Sequence, residues 1–255
     1  MIKIGFVLAA DLDRCAVLIA RAWSHTDFQL KKGYPMSQEQ WTAVDAYFNG
    51  LLLESDPVLD AVLHDSDAGG LPQIAVAPNQ GKLLNLLARI HGARKILEIG
   101  TLGGYSTIWL ARALPSDGRL ISLEYSPKHA QVATANIARA GLADKVEVRV
   151  GAALNLLPSL DSEAPFDLIF IDADKPNNPS YFAWAVKLSR PGTLIIMDNV
   201  VRDGHVIDAD SADPSVMGVR QFVTDVSAEK RVTATALQTV GTKGYDGLML
   251  MLVEG

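Results

Sequence analysis

The sequence predicts an α/β fold with a mostly parallel, doubly wound sheet, and three observations support this prediction. Short apolar segments alternate with segments of helical length from about residue 96 onward. The chain has 255 residues, which suits one large domain, and its 49% hydrophobic fraction is ample for one core. Two helical segments come before the first strand, so we expect an N-terminal helical cover.

The first helical segment spans residues 36–63, where apolar residues recur at three- and four-residue steps. Ser37 suits the N-cap of this helix, and Gln40 completes a capping box. A second amphipathic helix is predicted over residues 79–90, and Gly92 marks its end. We therefore expect two helices ahead of the sheet.

Seven segments have the length and composition of strands. Helix-length segments separate the first five strands, which should therefore be parallel. Residues 241–247 are too few for a helical crossover, so the last two strands should be antiparallel. The predicted strands are 96–99, 120–123, 146–150, 168–171, 193–197, 232–237 and 248–253, and the intervening helices include 106–113, 127–140 and 181–189.

Composition restricts the class of partner. The net charge of −6 argues against a broad nucleic-acid-binding face, so we expect a small-molecule substrate and no DNA partner. A single cysteine, Cys15, excludes an internal disulfide framework and fits a reducing cytoplasm. No segment approaches the ~18 consecutive apolar residues of a membrane span. We expect a cytoplasmic protein without membrane contact.

Residues 1–35 differ in character from the rest of the chain. A short apolar run near the start is interrupted by acidic and basic residues, without a convincing signal-peptide cleavage site. We interpret 1–35 as an N-terminal extension of uncertain role and 36–255 as the functional domain.

Polar residues follow two of the apolar strands. Asp172 comes directly after 168–171, and Asp198 and Asn199 come directly after 193–197. Ligands of open α/β sheets bind at this carboxyl edge, and oxygen ligands without Cys or His favour Mg²⁺, with Mn²⁺ or Ca²⁺ as alternatives. Adjacent strand residues point to opposite faces, so Asp198 and Asn199 can share one ion only if the chain turns there. A strand followed by a solvated loop is the competing interpretation.

A glycine-rich turn follows the first strand, with glycines at 100, 103 and 104. Such a turn lets backbone approach a ligand closely, although a tight turn without a ligand would also explain it. Glu124, at the end of the second strand, is placed to accept hydrogen bonds from ribose hydroxyls. Glu98 suits a ligand with a cationic amine and would repel a pyrophosphate. Amine, ribose and adenine together favour S-adenosylmethionine (SAM) over a dinucleotide.

These segments resemble the class I, SAM-dependent, cation-dependent O-methyltransferases, the family that includes catechol and caffeoyl-CoA O-methyltransferases. The resemblance covers roughly residues 36–254, with bacterial members closest. The motifs that carry it are Val76 with Asn79-Gln80-Gly81, Glu98 to Ser106, Glu124, Gly151-Ala152-Ala153, Phe170 to Lys175, Asp198-Asn199 and Asp246-Gly247.

The resemblance implies a Rossmann-like seven-stranded sheet with strand order 3-2-1-4-5-7-6, and a homodimer. It implies that Asp172, Asp198 and Asn199 hold the metal and that Lys175 is the general base, with Asp172 as its catalytic neighbour. The residues that would contact the cofactor are Val76, Glu98, Gly100, Thr101, Gly104, Ser106, Glu124, Tyr125, Ala153 and Asp172. After Asp172 the chain has Ala173-Asp174, where the animal catechol enzyme has a bulky pair, so we expect a more open pocket.

The implied reaction transfers the SAM methyl group to a hydroxyl of a small catechol-like or phenolic substrate. Mg²⁺ would chelate the vicinal oxygens and lower their pKa, while Lys175 accepts the phenolic proton. Spacing alone equally allows Lys175 to pair with Asp172 or Asp174 on a solvated loop. Three rival functions are a transfer-RNA hydroxyuridine O-methyltransferase of the same family, a non-catalytic adenosyl-binding module and, least favoured, an NAD-dependent dehydrogenase.

Overall fold

A seven-stranded sheet with strand order β3-β2-β1-β4-β5-β7-β6 forms the centre of the computed structural model, which describes residues 37–254. The order is the predicted one. The strands are β1 (Lys95–Ile99), β2 (Arg119–Glu124), β3 (Val146–Val150), β4 (Leu168–Ile171), β5 (Leu194–Asp198), β6 (Val232–Gly241) and β7 (Gly244–Val253).

Strands β1 to β5 pair in parallel, whereas β7 pairs antiparallel with both β5 and β6. This arrangement confirms the prediction, but the connection between the last two strands is shorter than we expected. Residues 241–247 are not a loop, because β6 and β7 continue to Gly241 and Gly244 and leave a two-residue turn. The longer ladder satisfies backbone groups that a loop would leave to solvent.

The N-terminal cover differs from the prediction of one helix over residues 36–63. Two helices are present, α1 (Gln38–Leu52) and α2 (Pro57–Ala68). The Asp56 side chain accepts hydrogen bonds from the backbone N–H groups of Val58 and Leu59, and Pro57 occupies the first turn of α2. An Asp N-cap followed by proline starts a new helix, and the apolar periodicity across the break concealed it.

The remaining helices are α3 (Pro78–His91), α4 (Tyr105–Ala111), α5 (Pro127–Arg139), α6 (Ala153–Leu156), α7 (Asn178–Lys187) and α8 (Pro214–Ala228). Helix α8 was missing from the sequence prediction. Its signals are the N-cap Asp213 with Pro214, and the buried apolar residues Val216, Val219, Phe222 and Val226 at helical spacing. Gly92 ends α3 in the left-handed conformation, as predicted.

The two faces of the sheet bury separate apolar clusters. Ile96, Leu120 and Phe170 pack with residues of α2 to α5. Alternate strand residues, such as Leu97 and Ile171, pack on the other face with residues of α7 and α8. Helices therefore cover both faces, which is the doubly wound arrangement, and the strand ends at one edge stay open for ligands.

Within residues 37–254 no helix is long and apolar enough to cross a membrane. Cys15 and the predicted 1–35 extension lie outside the described residues.

Candidate active site

A cavity of about 1040 Å³ opens where β1, β2, β4 and β5 end. It brings together most of the site residues that the sequence predicted. Those that line it are Val76, Gly100, Thr101, Ser106, Glu124, Tyr125, Ala153, Asp172, Lys175, Asp198 and Asn199. Residues distant along the chain therefore share one cavity at the carboxyl edge, as the parallel topology requires.

Glu124 holds the glycine-rich turn in place. One carboxylate oxygen accepts hydrogen bonds from the backbone N–H groups of Thr101 (3.2 Å) and Leu102 (2.8 Å). The other oxygen accepts from Ser126 N–H at 2.9 Å and lies 3.3 Å from Nδ1 of His129. The carboxylate thus shapes the turn and still lines the cavity, where the oxygen that accepts a single backbone hydrogen bond, from Ser126, has lone-pair capacity for a ligand hydroxyl.

Glu98 does not line the cavity, in contrast to its predicted contact with the cofactor. It is fully buried, and its carboxylate accepts hydrogen bonds from the hydroxyls of Ser106 (2.6 Å), Ser122 (2.6 Å) and Thr107. Burial raises the pKa of Glu98 to about 7, although these hydroxyl bonds oppose the change. Glu98 reaches the cavity indirectly, through Ser106, which forms part of the wall, and through Ser122, which is hydrogen-bonded to the wall residue Thr101.

Gly104 is also outside the lining, although the sequence placed it at the cofactor. It is the N-cap of α4, with φ of 89°, and it packs against Ala133 of α5. Gly100 does line the cavity, and a Cβ there would lie 2.1 Å from the carbonyl oxygen of Asp172. The first glycine therefore permits the close approach of β1 and β4, and Gly104 permits helix packing.

Two acidic residues meet at the ends of β4 and β5. Ile171 pairs with Met197, so Asp172 and Asp198 follow in register on neighbouring parallel strands. Asp198 is 5% exposed, and its pKa is raised first by burial and then by the charge of Asp172, while Lys175 acts in the opposite direction. Two facing carboxylates in a buried setting are stabilised by a cation between them.

The chain turns at Asn199, which is the condition under which Asp198 and Asn199 can share one ion. The φ of Asn199, 56°, is left-handed, so the chain turns immediately after Asp198. Both residues line the same cavity. Two carboxylates and an amide form an oxygen-only donor set, which suits Mg²⁺. Among residues 37–254 no group of three or more His, Cys, Asp or Glu side chains is arranged to hold a metal, so an ion here would need the amide of Asn199 in addition to the two carboxylates.

Lys175 lies beside the acidic pair. Its Nζ is 2.8 Å from Oδ1 of Asp172, and the residue is 8% exposed. The pairing with Asp172 is thus present, but at a buried position and not on a solvated loop. Helix α8 fixes this segment, because a Cβ at Gly218 would lie 2.3 Å from the Lys175 carbonyl oxygen.

Several cavity residues had no role in the sequence prediction. Gln80, inside the quoted Asn79-Gln80-Gly81 motif, donates to Asp198 Oδ2 at 2.6 Å. Asp174 accepts from the Tyr181 hydroxyl at 2.5 Å, and burial together with this bond raises the pKa of Tyr181. His129, Arg202, Ser215 and Lys243 also line the cavity. Arg202 follows the predicted ligand Asn199 closely in the chain, whereas nothing local distinguishes Lys243.

The fold and this cavity define a Rossmann-like α/β enzyme. Its cavity contains the glycine-rich turn after β1 and two acidic residues beside a buried lysine. The sequence model of the O-methyltransferase family matches residues 54–252, so the chain belongs to this family.

Known proteins similar to the chain agree with this assignment. A catechol O-methyltransferase of Niastella koreensis is 53% identical over 221 residues, covering 86% of this chain and all of that protein. The structure of an O-methyltransferase from Bacillus cereus, in complex with S-adenosylhomocysteine (SAH), is 59% identical in sequence and has a TM-score of 0.84. The match covers 86% of this chain and all of the Bacillus cereus chain. The O-methyltransferase TomG from Streptomyces achromogenes, involved in tomaymycin synthesis and solved with SAM, is 53% identical, with the same TM-score and the same coverage.

Proposed function

We propose that this O-methyltransferase transfers the methyl group of SAM to one hydroxyl of a small catechol-like phenol and depends on a divalent cation. The observation that carries the proposal is the meeting of Asp172, Asp198 and Lys175 in the cavity that also contains the glycine-rich turn. The SAH and SAM in two similar structures, and the catechol activity in the name of one relative, support it.

The cofactor would lie along the ends of β1 and β2. The turn at Gly100 and Thr101 offers close backbone contact, and Glu124 offers acceptors for ribose hydroxyls. Val76, Ser106, Tyr125 and Ala153 complete this part of the wall. Glu98 would act indirectly, because its three hydroxyl bonds fix Ser106 and the packing beneath the turn.

Asp172, Asp198 and Asn199 would hold the cation, for which we propose Mg²⁺, with Mn²⁺ or Ca²⁺ as alternatives. When bound, the ion would supply Lewis-acid charge that lowers the pKa of an acceptor hydroxyl. Gln80 keeps the Asp198 carboxylate oriented through its 2.6 Å hydrogen bond. The in-register strand ends fix the two carboxylates before any ligand arrives, so the chain loses little conformational freedom on binding.

Lys175 is the proposed general base. Its Nζ would take the proton of the acceptor hydroxyl, and Asp172 orients the amine at 2.8 Å. The deprotonated oxygen would then form a bond to the methyl carbon as the carbon–sulfur bond breaks, which leaves SAH. The buried position of Lys175 excludes most bulk water from this proton transfer.

The test is an acceptor panel with isotopically labelled SAM, run with Mg²⁺ and with EDTA. We expect labelled product from vicinal dihydroxyphenols, loss of turnover with EDTA and recovery with excess Mg²⁺. Full turnover in EDTA would contradict the metal proposal. SAM binding without turnover on any acceptor, including hydroxyuridine-containing transfer RNA, would instead favour a non-catalytic adenosyl-binding module.

We also propose a homodimer in the cytoplasm. Helix α1 exposes Tyr47 (64%), Leu51 (66%) and Leu52 (70%), an apolar face of the kind that protein interfaces cover. Light scattering after size-exclusion chromatography should give twice the 27.4 kDa chain mass. Leu51→Lys should shift the protein toward monomer, whereas a wild-type monomer at micromolar concentration would contradict the proposal.

A further inference from the structure

In the part of the chain that the structure describes, two cationic side chains line the cavity besides Lys175. Arg202, three residues after Asn199, and Lys243, in the turn between β6 and β7, both line the cavity. These two cations come from different elements and have no part in the proposed cofactor or metal contacts. An acceptor held at the proposed metal ligands would lie in the same cavity as these two side chains.

The backbone around Arg202 is fixed by Asp246. One oxygen of Asp246 accepts from the N–H groups of Val201 (2.9 Å), Arg202 (3.0 Å) and Gly247 (2.9 Å). Arg202 also has a left-handed φ of 56°, an uncommon conformation for an arginine. The loop therefore presents the Arg202 side chain from a defined backbone position.

The guanidinium of Arg202 retains unused donors. Its Nη1 lies 3.6 Å from the second oxygen of Asp246, which is longer than a normal hydrogen bond. Its Nε is buried and has no hydrogen-bond partner among residues 37–254. Guanidinium has five N–H donors and matches a carboxylate in a bidentate geometry. Within residues 37–254, Lys243 donates to the backbone carbonyl of Gln73 at 3.1 Å and keeps further donors.

The acidic side chains of the same cavity are already engaged. Asp174 accepts from the Tyr181 hydroxyl and from Asn177 Nδ2, both at 2.5 Å. Asp172 pairs with Lys175, and Asp198 accepts from Gln80. Each of these carboxylates, like Glu124, accepts hydrogen bonds from the protein itself but keeps its negative charge, whereas Arg202 and Lys243 keep N–H donors for an anionic acceptor.

We propose that the physiological acceptor carries a carboxylate away from its vicinal hydroxyls, and that Arg202, assisted by Lys243, recognises this group. This inference rests on the proposed function and names the charge class of its substrate. It assigns Arg202 a role in acceptor specificity, because a charge in the wall discriminates between acceptors of opposite sign.

The test compares kcat/KM for three acceptors that share the catechol ring: 3,4-dihydroxybenzoate (anionic), 4-methylcatechol (neutral) and 3,4-dihydroxyphenylethylamine (cationic). The wild-type enzyme should prefer them in that order. Arg202→Gln should lower kcat/KM for the anionic acceptor about tenfold, mainly through KM, and leave the neutral one within about twofold. Lys243→Gln should act in the same direction with a smaller effect.

Arg220→Gln is the matched control, because Arg220 supports the same loop through the Val206 carbonyl at 2.6 Å but does not line the cavity. It should leave the order of acceptors unchanged. Turnover without preference for the anionic acceptor, or an equal loss on all three acceptors in Arg202→Gln, overturns this inference and leaves the proposed function standing. Absence of turnover on every acceptor overturns both. If Arg202→Gln does not fold, the wild-type order and Lys243→Gln still decide.

Discussion

Gln80 donates a 2.6 Å hydrogen bond to Oδ2 of Asp198, although 118 residues separate them in the chain. The bond joins the first turn of α3 to the end of β5. The other oxygen of Asp198 accepts from the N–H of Asn199 at 2.8 Å. Gln80 therefore sets the orientation of a nearly buried carboxylate that stands in register with Asp172.

Removal of this bond should weaken metal binding. In Gln80→Leu the Asp198 carboxylate loses its side-chain donor, and we expect the affinity for Mg²⁺ to fall by about tenfold, as for other residues that orient metal ligands. Isothermal titration calorimetry on metal-free protein measures this directly. Asn79→Leu is the control on the same turn, because Asn79 bonds to Asp45 at 2.8 Å and does not line the cavity. Equal affinities in wild type and Gln80→Leu would contradict the assignment.

Replacement of the buried lysine should separate chemistry from binding. Lys175→Met removes the proposed base, and we expect kcat to fall by roughly 10² to 10⁴ while the Kd for SAM changes only a few-fold. Single-turnover kinetics and equilibrium SAM binding provide the two measurements. Lys187→Met, on the exposed face of α7, should leave both unchanged. A near-normal kcat in Lys175→Met would reduce Lys175 to an ion-pair partner of Asp172.

Glu98 should make stability depend on pH. Burial raises its pKa from an ordinary 4.5 to about 7, so the folded state keeps a proton that the unfolded state releases. The contribution of Glu98 to the free energy of unfolding is fully present below pH 4.5. It is lost as the pH rises through 7, a change of about 3 kcal/mol.

Urea unfolding at pH 5 and pH 8 tests this expectation. The free energy of unfolding of the wild type should fall between these pH values by more than that of Glu98→Gln, which cannot ionise. The comparison cancels the contributions of other titrating groups, since these are common to both proteins. Parallel pH profiles would show that Glu98 is ionised throughout the range.

Gly100 should not tolerate a side chain. Its φ is 101°, and a Cβ would lie 2.1 Å from the backbone oxygen of Asp172, so Gly100→Ala must displace the end of β4. We expect a loss of several kcal/mol in the free energy of unfolding, or an inactive protein. Gly50→Ala is the contrasting control, because that helical site has no atom within 4 Å of the new Cβ, and it should stabilise by about 0.5–1 kcal/mol. Thermal unfolding of both variants gives the comparison.

Periodicity predicted most of the fold. The five parallel strands fall within about one residue of their predicted bounds, because a buried strand is a short apolar run with turn residues at each end. The failures are at breaks and extensions. Asp56-Pro57 divides a continuous helical pattern, and Asp213-Pro214 begins a helix in a segment that lacked a prediction. Both are capping signals, and hydrophobic periodicity alone does not register them.

The candidate site was predictable where residues follow strands. Asp172, Asp198 and Asn199 come at strand ends, and parallel strands bring their ends to one edge. The direction of a side chain was not predictable in the same way. Glu98 precedes the end of β1 and points into a buried set of hydroxyls, so its indirect role follows from packing. Gln80 and Lys243 reach the cavity by long-range packing, which leaves no local spacing to detect, whereas Arg202 follows the predicted ligand Asn199 by three residues.

The sequence by itself determined the alternation of strands and helices, the carboxylates at the strand ends and the glycine-rich turn, because these depend on near neighbours along the chain. Only the tertiary structure decided which polar side chains face the cavity and which are satisfied behind its wall. It also decided that Asp174 is engaged while the Arg202 guanidinium retains free donors. Hydrogen-bond partners such as Gln80 and Asp198, 118 residues apart, are chosen when the elements pack, and that choice fixes which charged groups remain available to a substrate.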